Sequence, residues 1–513
     1  MSRILNSMRN IKYAICGQAT GIIVSFFNRM VFVRMLSAEY LGLNGLFINI
    51  LSILSFAELG IGSAITYSMY KPLSERDEPK LKALMGLYKL TYIIIGVIIS
   101  LLGLILTPFL GVFINDMPDI TYIKYIYLIY VANTAVSYFF SYKRSYVIAD
   151  QKKYIDTVYR YGFYFVLNIM QILILLITRS FIFYISLQLL TTVVENILIS
   201  RKVDRLYPFL IERNYEQLEK KEKEIIVKNV KAMILHKIGS VVVMGTDNLL
   251  ISKFISIVSV GIYSNYLLII NALNTVFGLI FQAVTASVGN LGATETKEKS
   301  KFIFNSIDFV GFWLYAFASI SLVNLFNPFI KLWVGSSYTF PLPVVLIIIL
   351  NFYLSGRRKS VITFRDALGV FWHDRYKAIF EAGVKIAVSL ILVNKIGISG
   401  IFIGTTISTI TTCFWIEPYV LYKHGFHSSP KLYFIKYISD TVLMIIAGYI
   451  TWKVTSTISD VGVLSFIYKM LVCLIVPNLL FLIIFWKNNE FKYLLSILKI
   501  SMRHSLQSTG IPK

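Results

Sequence analysis

The chain has 513 residues, 56% of them hydrophobic and only 15% charged, with a formal net charge of +23 and a mean hydropathy of +0.69. Soluble globular chains carry about 25% charged residues, so this composition excludes a soluble domain and points to a bilayer. The cations gather in short segments between apolar runs. That is the positive-inside pattern rather than a nucleic-acid patch, and no nucleic-acid partner is expected.

Apolar runs of roughly 20 residues, each able to cross about 30 Å of hydrocarbon, recur along the whole length. They predict spans at 13–35, 43–69, 87–110, 121–141, 157–178, 181–200, 232–253, 257–287, 302–327, 341–356, 376–394, 398–421, 437–456 and 463–486. The fold class is therefore all-α: a polytopic helical membrane protein of about fourteen spans. The runs are continuous rather than alternating, which excludes an outer-membrane barrel. The first run has no small-residue cleavage site after it and is read as a retained span. Segment 341–356 is short, and 257–287 is long enough to include an interfacial turn.

Basic residues mark every second loop. They include Arg3, Arg9 and Lys12, then Lys71, Arg76, Lys80 and Lys82, then Lys143, Arg144, Lys152 and Lys153. Later come Arg357, Arg358, Lys359, Arg365, Arg375 and Lys377, placed in a loop after the tenth span. The loop 111–120 has Asp116 and Asp119 and no Lys or Arg. Both termini are expected on the cytoplasmic side.

The chain also repeats itself. Laying Gly42 on Gly261, an offset of 219, lays Ser37 on Ser256, Arg34 on Lys253, Asn28 on Asp247 and Ile50 on Ile269. An ordered run at one offset indicates an internal duplication. The predicted organisation is a six-helix lobe at 1–200, a cytoplasmic amphipathic linker at 201–231, a second six-helix lobe at 232–421, an extra helix pair at 437–486 and a basic tail at 487–513. In the linker, Leu210, Ile211, Leu218 and Ile225 alternate with Glu and Lys. Six spans between copies keep them in the same orientation, the parallel-repeat arrangement.

On the first span, Gln18, Gly21, Ser25, Asn28 and Arg29 recur at helical spacing and form one polar stripe. A charge at membrane depth costs about 2.5–3.5 kcal/mol or more, so such a stripe points to a cavity wall. Arg29 has a second reading, as the buried partner of a carboxylate such as Glu58. In the other copy Gln18 maps onto Lys237, Gly21 onto Ser240 and Asn28 onto Asp247. Arg34 and Lys253 mark the outer ends of their spans, where a long side chain reaches the interface. Glu381 and Lys385, at i, i+4, are expected to pair.

Chemistry-bearing motifs are missing. There is no G-x-x-x-x-G-K-[ST] loop. Cys16, Cys413 and Cys473 lie in apolar runs without metal-ligand spacing, and His236 and His373 stand apart from any Cys/His cluster. The chain reads as a transporter rather than an enzyme, with no cofactor or metal.

The run Glu39-Tyr-Leu-Gly-Leu-Asn-Gly-Leu-Phe47 resembles the polysaccharide-transporter (Wzx-type) flippases. So do Ala57-Glu58-Leu-Gly60-Ile-Gly62-Ser-Ala64, Tyr70-Lys-Pro-Leu73 and Thr246-Asp247-Asn248-Leu-Leu-Ile-Ser252. Gly369-Val-Phe-Trp372-His-Asp374-Arg375-Tyr-Lys377 and Gly397-Ile-Ser-Gly400-Ile-Phe-Ile-Gly404-Thr405 complete the resemblance. These flippases belong to the MOP exporter superfamily, with the MATE drug exporters and the lipid II flippases.

The resemblance implies two six-helix lobes around a cavity that alternates between membrane faces. It implies movement of undecaprenyl-pyrophosphate-linked oligosaccharide units from the inner to the outer leaflet of a bacterial cytoplasmic membrane, for capsule, O-antigen or another surface polysaccharide. The expected partners are that lipid-linked oligosaccharide, membrane lipids, a polysaccharide polymerase and glycosyltransferases. A lipid II flippase or multidrug exporter is the alternative, and a membrane polymerase or acyltransferase the remote one. Under this resemblance Arg29, Asn28, Gln18, Ser25, Lys237 and Arg160 are candidates to hold pyrophosphate or sugar, arginine through its bidentate fork. For Arg160, which stands among Tyr159, Tyr161 and Tyr164, interfacial anchoring is the competing role. Glu58 and Asp247 are candidates to couple transport to an H+ or Na+ gradient, or else to pair structurally.

Overall fold

The computed structural model describes residues 2–58, 61–211, 218, 220, 222, 224, 226–227, 230, 245–294, 296–458 and 462–496. Among the described residues the chain is helical, with no strand. Among the described residues nine segments are long and apolar enough to cross a membrane. Helices α6 (Ile123–Ala149), α12 (Leu342–Ala367) and α13 (Lys377–Ile396) add 27, 26 and 20 residues. At about 1.5 Å per residue the first two run about 40 Å and the third about 30 Å, each enough to cross the hydrocarbon, although buried tyrosines or charges lower their hydropathy. The protein is a polytopic helical membrane protein. Its outward faces agree: Leu90, Ile94, Leu101 and Ile105 of α4 (Glu78–Leu106) are exposed, a surface that suits hydrocarbon.

The chain divides into two compact units, Met1–Ser264 and Asn265–Lys513. In the first, α1 (Ser2–Met35) lies along α7 (Lys153–Thr178), and α6 lies between α4 and α8 (Phe181–Leu206). Asp77 caps α4 by accepting from the Lys80 amide at 3.0 Å, with Pro79 in the first turn, where its missing N–H costs nothing. The interior is aromatic: Tyr88 and Tyr92 of α4 pack with Tyr138 and Tyr146 of α6 around Ile95, Ile99 and Ile199.

The duplication reappears as helix boundaries. Helix α1 ends at Met35 and α2 begins at Ala38; the offset of 219 carries these positions onto the end of helix α9 (residues 245–254) and the start of α10 (Ile257–Thr294). Both breaks fall next to a serine, Ser37 and Ser256, and Ser256 Oγ accepts from the Ser259 amide at 3.1 Å. The two matching glycines meet. A Cβ on Gly42 would sit 1.9 Å from the Ile257 carbonyl oxygen, and one on Gly261 2.5 Å from that of Ala38. Two helix backbones approach here at a distance only glycine permits.

The copies part company at Glu58. The expected continuous span 43–69 is instead α2 (Ala38–Leu54), a 3-10 turn at Ser55–Glu58 and α3 (Ile61–Glu75). The corresponding stretch of the second copy runs unbroken inside α10.

In the second unit α11 (Lys297–Trp333) is the most buried of the apolar segments and packs against α12, α16 (Lys431–Thr455) and α17 (Val463–Phe485). Helices α13 and α14 (Ile398–Ser408) form a hairpin that turns at Gly397, φ +60°. Gly400 lets them close, since a Cβ there would lie 2.4 Å from the Leu392 carbonyl carbon. Two π-helical turns, Thr409–Cys413 and Leu421–Gly425, flank α15 (Phe414–Val420), which contains Pro418.

One expectation is corrected. The tenth span continues past 356 to Ala367, so Arg357, Arg358, Lys359 and Arg365 are helix residues rather than a loop. Carboxylates from other elements reach Arg357, Arg358 and Arg365, as described below. Of the linker, α8 runs to Leu206 and a 3-10 turn covers Pro208–Ile211, with Leu218 buried and Ile211 exposed. Ile225 lies outside the described residues.

Candidate functional site

The polar stripe of α1 folds against α6, α7 and α8 inside the first unit. Asn28 is buried, and its Nδ2 donates to Asn168 Oδ1 at 2.5 Å and to Gln171 Oε1 at 3.0 Å. Tyr184 donates to Asn28 Oδ1 at 3.4 Å, and Gln171 Nε2 donates to the Tyr184 carbonyl at 3.2 Å. Ser25 Oγ is 2.6 Å from the Tyr164 hydroxyl and donates to the Gly21 carbonyl at 2.7 Å. Thus Ser25 and Asn28 bond to α7 and α8, which explains why α1 needs polar groups at membrane depth. Gln18 lies about two turns before Ser25 on the same face, and its buried Oε1 has no hydrogen-bond partner among the described residues.

Arg29 sits in the middle of this seam. Its Nη1 donates to Ser264 Oγ at 2.7 Å, and Tyr184, Tyr164 and Tyr130 are close enough to act on its charge. Tyr130 also donates to Asn44 Oδ1. A guanidinium surrounded by hydroxyls is well suited to an oxyanion, because hydroxyls can donate to the anion as readily as they accept from arginine.

Glu58 stands elsewhere, and its carboxylate is held by tyrosines rather than by Arg29. Tyr92 donates to Oε1 at 2.7 Å and Tyr138 to Oε2 at 3.0 Å. Tyr88, whose hydroxyl is 2.8 Å from Ser145 Oγ, donates to the Tyr92 hydroxyl at 3.4 Å. The room is made by Gly62, where a Cβ would lie 2.4 Å and 2.7 Å from the hydroxyls of Tyr92 and Tyr88. The structure therefore places a carboxylate at the end of a hydrogen-bonded chain of hydroxyls, beside the break between α2 and α3.

The other expected positions are dispersed. Asp247, on α9, is half-buried and interacts electrostatically with Tyr263. Lys237 and Ser240 lie outside the described residues. Arg34 and Lys253 are exposed, as residues at a bilayer edge should be. Arg160 is largely exposed and contacts Asp156 Oδ2 at 3.4 Å. Asp156 belongs to a knot at the ends of α6, α7 and α8: Arg144 donates to Asp156 at 3.1 Å, Glu195 at 2.6 Å and Asn196 at 2.9 Å.

The second unit holds two buried charge networks that sequence reasoning missed. Arg357, 1% exposed, donates to the Asp308 carbonyl at 3.0 Å, Asp308 Oδ2 at 3.3 Å and Asp440 Oδ2 at 3.1 Å. It thereby ties α12 to α11 and α16. Nearby, Arg365, Asp374, Lys377, Glu417, Arg358 and Glu381 alternate in sign along a ladder of ion pairs. Glu381 accepts from Arg358 at 3.1 Å. The available signal was a lone Asp308 and a lone Asp440 in apolar spans, each of which demands a cation.

The MatE family model matches residues 15–174, from α1 into α7. No curated protein sequence matches the chain. Among solved structures, the lipid II flippase MurJ in an inward closed conformation aligns at TM-score 0.64 and 15% identity, covering 93% of this chain and 99% of its own. An inward-facing multidrug resistance MATE transporter of the MOP superfamily aligns at 0.60 and 14%, covering 76% of this chain and 91% of its own. A variant of the Vibrio cholerae MATE transporter VcmN gives 0.55 and 14%, covering 82% of this chain and 98% of its own. The chain thus has the fold common to MurJ and the MATE exporters of the MOP superfamily.

Proposed function

We propose that the protein is a flippase that carries undecaprenyl-pyrophosphate-linked oligosaccharide units from the cytoplasmic to the outer leaflet by alternating access. The observation that carries this reading is Arg29, set at membrane depth among Ser264 and tyrosine hydroxyls. A pyrophosphate crossing hydrocarbon must exchange water for fixed donors, and this seam supplies a cation and hydroxyls together. Wider coverage by the lipid II flippase than by the MATE structures, 93% against 76% and 82%, favours a lipid-linked saccharide over a drug. It equally favours lipid II itself, which differs in its sugar, as the second reading.

In this proposal both termini face the cytoplasm of a bacterial cell, glycosyltransferases supply the cargo and a polymerase consumes it. Arg29 engages the pyrophosphate, Gln18 and Arg160 the saccharide or its approach, and Glu58 or Asp247 takes the H+ or Na+ that drives the cycle. Ser25 and Asn28 hold α1 in register for Arg29.

The test is purified protein in proteoliposomes loaded with labelled undecaprenyl-pyrophosphate oligosaccharide, with lipid II and a cationic dye in parallel. The expected result is exposure of lipid-linked saccharide at the opposite face with its chain length unchanged. Dye efflux without saccharide movement overturns the reading. Arg29→Ala should slow translocation about tenfold or more, the worth of one charge-assisted hydrogen bond at about 1.5–3 kcal/mol.

A further inference from the structure

The hydroxyls beside Glu58 form a line rather than a cluster. Tyr92 donates to Glu58 Oε1 at 2.7 Å, the Tyr88 hydroxyl lies 3.4 Å from that of Tyr92, and Ser145 Oγ lies 2.8 Å from Tyr88. An ionised carboxylate can only accept, so the one hydroxyl proton of Tyr92 is committed to Glu58. Tyr88 must then donate to Tyr92, and Ser145 to Tyr88. Each O–H in the line thus points toward the carboxylate. Tyr88 and Tyr92 are buried, while Glu58 and Ser145 at the two ends are half-buried.

The line also has a direction along the helices. Tyr88 stands about one turn before Tyr92 on α4, nearer the end that carries Lys80 and Lys82. Ser145 lies near the end of α6, beside Lys143 and Arg144 and shortly before Lys152 and Lys153. The hydroxyls therefore run from Glu58, beside the break between α2 and α3, toward the side marked by basic loops. Oε2 is held separately by Tyr138 at 3.0 Å, and Tyr138 in turn bonds Ser55. The titratable groups that α4 and α6 turn toward Glu58 are thus tyrosines.

We propose that Glu58 takes a proton rather than Na+, and that Ser145, Tyr88 and Tyr92 relay it from the basic side. The proposal rests on the reading of Glu58 as the ion-coupling group. A proton arriving at Ser145 Oγ sends that hydroxyl's own proton to Tyr88. Tyr88 passes its proton to Tyr92, and Tyr92 passes its proton to Glu58 Oε1. Each hydroxyl breaks one O–H bond as it forms another, and the new O–H bond on Glu58 removes the carboxylate's charge. The hydroxyls then point away from Glu58, and rotation about each C–O bond resets them. The step from Tyr88 to Tyr92 exceeds the usual transfer reach of about 2.6–3.2 Å, so it limits the rate. Na+ suits the site poorly. Hard cations take oxygen lone pairs, and both carboxylate oxygens here face hydroxyl protons.

The experiment is a pH jump on the purified full-length protein without cargo, followed through the infrared band of a protonated carboxyl group. Glu58→Gln should remove the band, and its pH midpoint should be the same in sodium chloride and choline chloride. Tyr88→Phe keeps the ring and leaves the Tyr92–Glu58 bond in place, so the midpoint should stay. A positioned proton donor contributes about 10²–10⁴-fold, so Tyr88→Phe should slow the rise of the band at least about tenfold. Ser145→Ala, at a half-buried position, should slow it likewise and guards against misfolding of the first variant. Tyr146→Phe, in the same aromatic core but off the line, should keep the parent rate. A band untouched by Glu58→Gln, a midpoint that moves with sodium, a parent rate in Tyr88→Phe or Ser145→Ala, or equal slowing in Tyr146→Phe overturns the proposal. Protonation is read without saccharide, so failure to move lipid-linked saccharide would sink the flippase reading alone, and a parent rate in Tyr88→Phe the relay alone.

Discussion

Arg357 offers the sharpest test of what holds the second unit together. Arg357→Met removes a guanidinium that bridges Asp308 on α11 and Asp440 on α16, and both carboxylates are buried, at 2% and 4% exposure. Methionine fills much of the volume and keeps an apolar surface against Phe312 and Tyr437, whose ring centres lie 5.3 Å and 5.0 Å from the guanidinium. The loss is therefore mainly electrostatic. Breaking a buried ion pair costs about 3–5 kcal/mol, because the remaining charge is left without a partner. For a unit of this size that corresponds to roughly 6–20 °C in unfolding temperature. Thermal unfolding of the detergent-purified protein, followed by intrinsic fluorescence and monodispersity, reads it directly. Adding Asp308→Asn and Asp440→Asn should recover most of the loss, since the amide that replaces the Asp308 carboxylate would still accept from the Ser360 hydroxyl, which now bonds Asp308 Oδ1 at 2.6 Å. An Arg357→Met protein that melts with the parent, or a triple variant no better than the single one, refutes the reasoning.

Other expectations are shorter. Glu58→Gln should fold, because an amide can still accept from one tyrosine and donate to the other; gradient-driven translocation in proteoliposomes should nonetheless stop, and an unchanged response to collapsing H+ and Na+ gradients would make Glu58 structural. Gly42→Ala should cost about 3 kcal/mol or more by forcing a Cβ to within 1.9 Å of the Ile257 carbonyl, read as loss of monodisperse protein. Gly162→Ala, where nothing lies within 4 Å of the added Cβ, should instead stabilise by up to about 1 kcal/mol of helix propensity, read as a slightly higher unfolding temperature.

Much of the helical plan was legible because bilayer thickness fixes run length, and the duplication was legible because an ordered run of residues recurs at one offset. Ser37 and Ser256 both sit at such breaks, and Gly42 and Gly261 both mark the close approach. The break at Glu58 was not read from the sequence, although Gly60 and Gly62 follow it; the tyrosines of α4 and α6 that hold its carboxylate lie far away in the chain. The length of α12 was misread for a related reason. Arginines at 357 and 358 signal a loop when no partner is known, and their partners lie far away in sequence at 308, 440, 381 and 417. Spacing along one helix is visible in a sequence; the carboxylate that faces it from another helix is not. The stripe on α1 shows the same limit, since its period announced a polar face while the amide chemistry of Asn168 and Gln171 decided what Asn28 would do.

The partners of several buried charges suggest which belong to the scaffold. Arg144, Arg357 and Arg358 each contact two carboxylates, and a guanidinium held that way leaves only at a cost of several kcal/mol. Such residues fix helices. Arg29 contacts the Ser264 hydroxyl with tyrosines around it, and Glu58 contacts the hydroxyls of Tyr92 and Tyr138. A hydroxyl rotates about one bond and both donates and accepts, so it can release a charged group to a passing ligand and stay satisfied by a neighbour. Under the proposed function, these two groups of the first unit, Arg29 and Glu58, are the ones expected to exchange partners within a transport cycle. It is at these two positions, with the helix break beside the second, that a conservative substitution should alter transport more than stability.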